Sequence, residues 1–197
     1  MIFKTIPLGA LGTNCYLISA AEGHAVIVDP AVNGDMLAKR LEEMNLQLDA
    51  ILLTHGHYDH IGGADELHKL TGAPVYLHPA DLETARTLGR NLLTVASNPY
   101  PKTLQAGGLT FTVHHTPGHT PGCVCLQTEN LLISGDTLFF GTCGRTDLPG
   151  GSWEQMMASL RLLSGLEGNL SVCPGHGEIS TLDAERSYNP YILEAMA

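Results

Sequence analysis

The sequence predicts an α/β protein built as a four-layer αββα sandwich, in which two mixed β-sheets pack face to face between outer helices. Apolar runs rich in Val, Ile and Leu recur along the chain, and each ends directly in polar residues or glycine. Such runs are typical of buried strands. Segments with helical spacing flank these runs in both halves of the chain, which favours sheets covered by helices. We expect one domain, residues 1–197, since this length can bury one substantial core.

In the first half, strands and helices alternate. Residues 25–28 and 50–53 are predicted strands. The segment between them follows Asn33-Gly34-Asp35 and is a predicted helix, because its apolar residues recur at helical spacing: Met36, Leu37, Leu41, Met44 and Leu48. Leu67 and Leu70 indicate a second helix.

The second half is predicted to contain a strand meander, then a helix and one more strand. The helix covers about residues 152–163 and the last strand about 170–173. Residues 86–103 lack clear periodicity, so we expect a surface loop with one short helix that borders a substrate cleft. The meander strands are residues 109–114, 123–127 and 131–134.

Composition and charge narrow the function classes. The formal net charge is −10, which would repel nucleic acid phosphates and anionic membrane surfaces, so we expect neither as a partner. The N-terminus lacks an export signal, and no apolar run approaches the roughly 20 residues of a membrane span. These features predict a cytoplasmic protein with a small-molecule substrate, and they leave its oligomeric state open.

The cysteines do not predict a disulfide framework. Their number, five, is odd, and we interpret them as reduced. Cys123 and Cys125 alternate along a predicted strand and lack the spacing of a structural zinc site, so we expect them in the core.

The densest cluster of potential ligands follows the predicted strand 50–53. Three imidazoles and one carboxylate occur within six positions there, and both are ligand types that first-row divalent metals favour. His55 and His57 are positioned to share one metal, with Gly56 letting the backbone turn between them, while Asp59 and His60 face a second metal. The segment is Thr54-His55-Gly56-His57-Tyr58-Asp59-His60.

Three further candidates occur on glycine-bounded loops after predicted strands. They are His119 in Pro117-Gly118-His119-Thr120, Asp136 in Ser134-Gly135-Asp136-Thr137, and His176 in Gly175-His176-Gly177. Each alone is weak, since a single His or Asp in a loop is more often a turn or capping residue. Five other histidines fall outside the pattern, and we expect them to be solvated or at the core edge: His24, His68, His78, His114 and His115.

The order H-x-H-x-D-H, G-H-T, G-D and G-H-G resembles the metallo-β-lactamase superfamily, as do Asn14-Cys15-Tyr16 and Val28-Asp29-Pro30. The resemblance covers nearly the whole chain and implies two divalent metal ions, with zinc expected and iron or manganese as alternatives. It assigns the first metal to His55, His57 and His119, the second to Asp59, His60 and His176, and a bridging position to Asp136.

This resemblance predicts hydrolysis. Two divalent ions outweigh the negative charges of Asp59, Asp136 and a bridging hydroxide, so the centre stays positive. A metal-bound water can lose its proton near pH ~7 and attack a carbonyl that the metals polarise. We therefore treat Asp59 and Asp136 as catalytic and Tyr58 as a substrate contact, while Asp29 either orients a ligand or serves a turn.

Within the superfamily, the chain resembles short bacterial members of the glyoxalase II group. The residues that carry this are Thr116 to Gly122, Cys143-Gly144-Arg145-Thr146-Asp147, and Asp183-Ala184-Glu185-Arg186 with Asn189-Pro190. The resemblance implies a thioesterase for S-lactoylglutathione or a related hydroxyacyl thioester, with Arg145 contacting the substrate's carboxylate. The helical C-terminal segment that supplies further glutathione contacts in the full-length group is expected to be missing.

Two other functions remain open. Gly118 to Cys123 and Cys143 to Asp147 also resemble persulfide dioxygenases, whose single iron would correspond to His57, His119 and Asp136. A binding module that uses metals only to hold its fold is the third hypothesis, although structural zinc sites are usually closed four-ligand tetrahedra. β-Lactam hydrolysis and nuclease activity are disfavoured.

Overall fold

A computed structural model describes residues 1–87 and 92–197 and contains two six-stranded sheets. The first sheet has, in spatial order, β1 (Ile2–Leu8), β2 (Thr13–Ser19), β3 (His24–Val28), β4 (Gln47–Leu52), β5 (Val75–Tyr76) and β6 (Ser97–Asn98). Its first two pairings are antiparallel and the remaining three are parallel. The sheet is therefore mixed.

The second sheet is also mixed, since β10 (Leu131–Gly135) pairs parallel with β13 (Ser171–Pro174) and the other neighbours pair antiparallel. A separate two-stranded sheet, β11 (Leu138–Phe139) with β12 (Thr142–Cys143), follows β10. In spatial order the second sheet contains β14 (Ser180–Thr181), β13 (Ser171–Pro174), β10 (Leu131–Gly135), β9 (Val124–Thr128), β8 (Leu109–His115) and β7 (Thr103–Ala106).

Helices cover the outer face of each sheet. The first sheet packs against α1 (Gly34–Glu43), α2 (Tyr58–Ile61), α3 (Ala64–Thr71) and α4 (Leu82–Thr87). The second packs against α5 (Trp153–Ser164), α6 (Leu182–Tyr188) and α7 (Pro190–Met196). Ser152 caps α5 by accepting a hydrogen bond from the Gln155 N–H, which satisfies one of the free donors at the helix start.

Alternation along the central strands produces four layers. On β2, Cys15 and Leu17 pack toward the helices, whereas Tyr16 and Ile18 pack into the space between the sheets. Leu132 on β10 likewise faces the outer helices of the second sheet. Because both faces of these strands are buried, residues 15–18 of β2 and 131–133 of β10 are apolar. The predicted four-layer sandwich is confirmed.

Two predicted elements differ in the structure. The first helix ends at Glu43, and Leu48 lies on β4 rather than in the helix. Asn45 has φ of 53°, a left-handed conformation that ends helices. The apolar spacing that predicted the helix continues past this end, because Leu48 of the next strand happens to fit it.

The predicted loop 86–103 was only partly right. It begins inside α4, contains β6, which adds a parallel strand to the first sheet, and ends where β7 begins. Residues 88–91 of it lie outside the described part of the chain.

The five cysteines are free, and all but the half-buried Cys143 are buried, as expected from the sequence. Cys125 packs in the cluster beneath the outer helices of the second sheet. Among the described residues, none of the helices has the length and apolar character needed to cross a membrane.

Candidate metal centre

Four loops meet at one edge of the sandwich and bring all seven candidate ligands together. The loops follow β4, β8, β10 and β13. Within the described residues, three overlapping sets of possible ligand atoms each lie within 4.8 Å of one another: His55, His57 and His119; His55, His60 and Asp136; and Asp59, His60 and His176. The spatial grouping matches the one that the sequence predicts.

The first set, which we call the three-histidine group, contains His55, His57 and His119. The Nδ1 atom of His57 lies 3.1 Å from His55 Nε2 and 2.8 Å from His119 Nε2. His55 and His119 are buried, with 0% and 4% of their surface exposed. Three imidazole nitrogens thus converge on one point in a nearly dry environment.

Hydrogen bonds outside the group orient two of its rings. The Thr54 hydroxyl donates to Asp29 Oδ2 at 2.7 Å, so it accepts from the Nδ1–H of His55 at 3.1 Å. The Nδ1–H of His119 donates to the carbonyl oxygen of Arg145 at 2.8 Å. Each ring therefore leaves its Nε2 lone pair free to bind a cation, as metal-ligating histidines do.

The last set, which we call the mixed group, contains Asp59, His60 and His176. His176 Nε2 lies 3.3 Å from both Asp59 Oδ2 and His60 Nε2. The Nδ1–H of His60 donates to Asp29 Oδ2 at 2.9 Å, and the Nδ1–H of His176 donates to the carbonyl of Leu11 at 3.2 Å. Of the two readings for Asp29, the structure favours the one in which it orients a ligand.

Asp136 lies between the two groups. Its Oδ1 atom is 3.4 Å from His60 Nε2, and its Oδ2 atom is 3.5 Å from His119 Nε2 and 3.7 Å from His176 Nε2. Oδ1 is buried and has no hydrogen-bond partner among the described residues. A buried charge in this state needs a cation, and nitrogen and carboxylate oxygen suit divalent first-row metals. The residues fit two such ions.

The two groups differ in their protonation without metal. Burial, strengthened by repulsion from neighbouring imidazoles, lowers the pKa of His55 well below its ordinary value and the pKa of His57 to about 4. Burial also disfavours charge on His60, but Asp136 and Asp29 outweigh it and raise its pKa to about 9. His55 and His57 of the three-histidine group therefore present neutral nitrogens, whereas His60 of the mixed group carries charge.

Asp59 completes that contrast. Burial raises the pKa of its carboxyl, but the hydrogen bond from His176 and the charge of His60 lower the pKa to about 2. The hydrogen bond to Asp59 in turn raises the pKa of His176. The carboxylates of Asp59 and Asp136 stabilise the protonated rings of His60 and His176. A metal ion in the mixed group would thus displace protons from these two rings.

One buried carboxylate that the sequence did not single out braces the three-histidine group. Asp81 is fully buried and accepts hydrogen bonds from the Gly56 N–H at 2.8 Å, the Gly122 N–H at 2.6 Å and the Thr120 hydroxyl at 2.6 Å. Gly56 lies between His55 and His57, and Thr120 follows His119. Asp81 therefore ties together the two loops that carry all three histidines.

The same carboxylate explains two glycines. A Cβ atom on Gly122 would lie 2.6 Å from Asp81 Oδ1, and one on Gly56 would lie 2.8 Å from the Asp81 carbonyl oxygen. Neither glycine has a positive φ. Gly56 is thus required for close approach to Asp81 rather than for the turn that the sequence suggested.

The N-terminal Asn14-Cys15-Tyr16 segment holds the loop of His176. Asn14 Nδ2 donates to the carbonyls of Pro174 and Gly177, both at 3.0 Å, and the Tyr16 hydroxyl donates to the Pro174 carbonyl at 2.7 Å. This pattern therefore acts on the mixed group from a distant part of the sequence.

An open cavity of about 440 Å³ lies over the centre. Tyr58 and Arg145 line it together with ligands of both groups, whereas the described residues of the 86–103 segment, 86–87 and 92–103, do not. Arg145 forms a bidentate ion pair with Asp147, with both distances 2.7 Å. The five remaining histidines lie outside the three sets, as expected.

Comparison with known proteins agrees with this geometry. The profile described as the metallo-beta-lactamase superfamily matches residues 8–176. The hydroxyacylglutathione hydrolase GloC of Haemophilus influenzae is 33% identical over 98% of both chains. Two crystal structures are each 37% identical: the BLEG-1 B3 metallo-beta-lactamase, with a TM-score of 0.89 over 97% of this chain and 99% of that one, and TTHA1623 in a di-iron-bound form, with 0.84 over 95% and 99%.

Proposed function

Because the chain belongs to the metallo-β-lactamase superfamily, whose relatives here include metal-dependent hydrolases, we propose that it is a dinuclear thioester hydrolase. Its proposed substrate is S-lactoylglutathione or a related hydroxyacyl thioester. The observation that carries the proposal is the pair of ligand groups joined by Asp136 beneath an open cavity. The similarity to the hydroxyacylglutathione hydrolase GloC supplies the substrate class.

The seven residues would hold two divalent ions, one in each group, with Asp136 contacting both. Bound there, such ions polarise a carbonyl and lower the pKa of a water molecule, which is the chemistry that hydrolysis needs. Either zinc or iron suits the mixture of imidazole and carboxylate. The open cavity also favours catalysis over a closed structural site.

The protein's own side chains supply orientation. Asp29 and the Leu11 carbonyl orient the rings of the mixed group, while Thr54 and the Arg145 carbonyl orient those of the three-histidine group. The Arg145 guanidinium and the Tyr58 ring line the cavity and would contact the thiol carrier. A carboxylate on that carrier would have to compete with Asp147 for Arg145, so we expect this contact to be modest.

The proposed reaction consumes one water. The oxygen of water forms a bond to the thioester carbonyl carbon, the carbon–sulfur bond breaks, and the departing sulfur takes a proton. The products are a hydroxy acid and a free thiol, so thiol release measures turnover directly.

The test is thiol release from S-lactoylglutathione by protein reconstituted with zinc or iron, with the Asp136→Ala variant as the inactive control. We expect turnover by the metal-loaded wild type that a chelator abolishes. A nitrocefin assay on the same sample tests the β-lactam chemistry suggested by the BLEG-1 name. No thiol release with either metal would contradict the proposal.

A mononuclear-iron persulfide dioxygenase is the second candidate. The atoms His57 Nδ1, His119 Nε2 and Asp136 Oδ2 lie close together, with successive distances of 2.8 Å and 3.5 Å. Two histidines and a carboxylate form the usual iron site of oxygen-using enzymes. One iron per chain with oxygen uptake on glutathione persulfide, and no thiol release from thioesters, would favour this candidate.

A further inference from the structure

A second, smaller cavity adjoins the metal centre on the side of the β1–β2 hairpin. It has a volume of about 140 Å³, and its apolar lining includes Leu8, Ala31 and Val32. It shares Leu11, Tyr58 and Asp59 with the larger cavity. We propose that this small cavity, which we call the acyl cavity, binds the acyl group of the substrate, an inference that rests on the proposed thioester hydrolysis.

Two arms leave the carbonyl carbon of a thioester, the acyl chain on one side and the sulfur with its carrier on the other. Two cavities likewise meet beside Asp59, which belongs to the mixed group. With the carbonyl at the metal centre, one arm enters each cavity.

Size decides which arm goes where. The larger cavity, about 440 Å³, falls in the range of pockets that hold a whole small molecule. The acyl cavity, about 140 Å³, holds only some four or five groups of the ~30 Å³ that a water molecule occupies. A peptide-like thiol carrier therefore requires the larger cavity, and the smaller one accepts a short acyl chain.

The lining indicates the chemistry of that chain. Most residues around the acyl cavity are apolar, so burial of carbon is favourable there. Thr13 contributes no exposed surface to it, so its hydroxyl does not reach an occupant. The acyl cavity therefore fits a short aliphatic acyl chain.

Acyl length tests the assignment. The substrates are acetyl, butyryl and hexanoyl thioesters of glutathione, compared by kcat/KM in metal-loaded protein. We expect the wild type to prefer butyryl to hexanoyl by about tenfold or more, since a single methylene can change selectivity that strongly. Val32→Phe should lower the butyryl-to-acetyl ratio, and Val32→Ala should raise the hexanoyl-to-butyryl ratio.

Val113 is a matched control, because this half-buried valine on β8 does not line either cavity. Val113→Phe should leave both ratios unchanged. Ratios measured within one variant are insensitive to partial loss of folded protein. Opposite shifts from two substitutions at Val32 are also difficult to produce by destabilisation alone.

Ratios that do not change in either Val32 variant would overturn the acyl cavity while leaving the hydrolase intact. Absence of thiol release from every thioester by wild type would overturn the proposed function itself.

Discussion

The three-histidine group and the mixed group are held in different ways. His55 and His119 of the three-histidine group are almost fully buried, and Asp81 ties together the loops that carry its members. In the mixed group, 27% of the His176 side chain is exposed, and the groups that orient its rings belong to the N-terminal hairpin and to Asp29.

This difference suggests a division of labour between the two proposed ions. In the three-histidine group, Asp81 braces the loops and the buried His55 is neutral. This group is therefore preorganised, and its ion should bind first. The mixed group must exchange protons and order a more exposed histidine, so its ion should bind more weakly and leave first under a chelator. Variants of individual residues test whether the two ions differ in this way.

The largest effect is expected at Asp136, the residue shared by both groups. Asp136→Ala removes the carboxylate that lies 3.4–3.7 Å from His60, His119 and His176. We expect loss of at least one bound ion and a fall in thioester turnover of about 10²–10³-fold, the range for removal of one electrostatic stabiliser. Elemental analysis and thiol release measure it, and a fully loaded, active variant would contradict it.

Asp81→Asn should weaken the three-histidine group selectively. The single NH2 group of Asn would face either the Gly56 N–H or the Gly122 N–H, donor against donor, so we expect a loss of about 1–3 kcal/mol in unfolding free energy. The affinity for the first ion should fall about 10–100-fold, the usual effect of disturbing groups around metal ligands. Cobalt(II) titration followed by the visible spectrum reports that site.

Glu185→Gln is the matched control for Asp81→Asn. Glu185 is also a buried carboxylate, and it accepts hydrogen bonds from the Gly141 N–H at 3.0 Å and Asn189 Nδ2 at 2.8 Å, away from the ligand loops. It should lower stability without altering cobalt affinity. Equal loss of affinity in both variants would show that Asp81 acts through general stability alone.

Asp29→Asn should act mainly on the mixed group, because Asp29 contacts His60 directly and reaches His55 only through the Thr54 hydroxyl. The new amide would donate to His60 Nδ1 and move the His60 proton to Nε2, which blocks the nitrogen that faces the second ion. We expect about a 10–100-fold loss of affinity for that ion and a smaller change for the first. Stepwise cobalt binding measured by calorimetry separates them, and equal losses at both steps would refute the division.

The smallest effect is expected at Asn14. Asn14→Ala removes the side-chain donor to the Gly177 carbonyl and one of the two donors to the Pro174 carbonyl, which keeps the Tyr16 hydroxyl, at a cost of about 1 kcal/mol. Affinity for the second ion should fall only a few-fold, measured in the same titration. Weakening of the first ion instead would place this segment's influence on the wrong group.

Local patterns were sufficient to predict the layers and the ligands. The apolar runs of β3 and β4 are buried on both faces, so their composition alone indicated a sandwich covered by helices. All seven candidate ligands lie in short motifs that follow strands, and the ends of these strands lie at the same edge of the sandwich. The left-handed turn at Asn45 was missed, because Leu48 continued the apolar spacing.

The braces could not be predicted in this way, because their partners are distant in sequence. Asp81 binds groups 25 to 41 residues away, and in the sequence Pro79-Ala80-Asp81 resembles an ordinary helix start. The one available signal was the pair Gly56 and Gly122, whose lack of a side chain marks close packing. Asn14 and the carbonyls it holds are separated by about 160 residues.

The number and position of bound metal ions test most directly whether the chain holds one ion in each group. Metal-free protein would be reconstituted with excess zinc, dialysed and measured by elemental analysis, and the ions located by anomalous X-ray scattering. We predict two ions per chain, one at the three-histidine group and one at the mixed group, both contacting Asp136. A single ion held by His57, His119 and Asp136, with the mixed group empty at saturating metal, would contradict it.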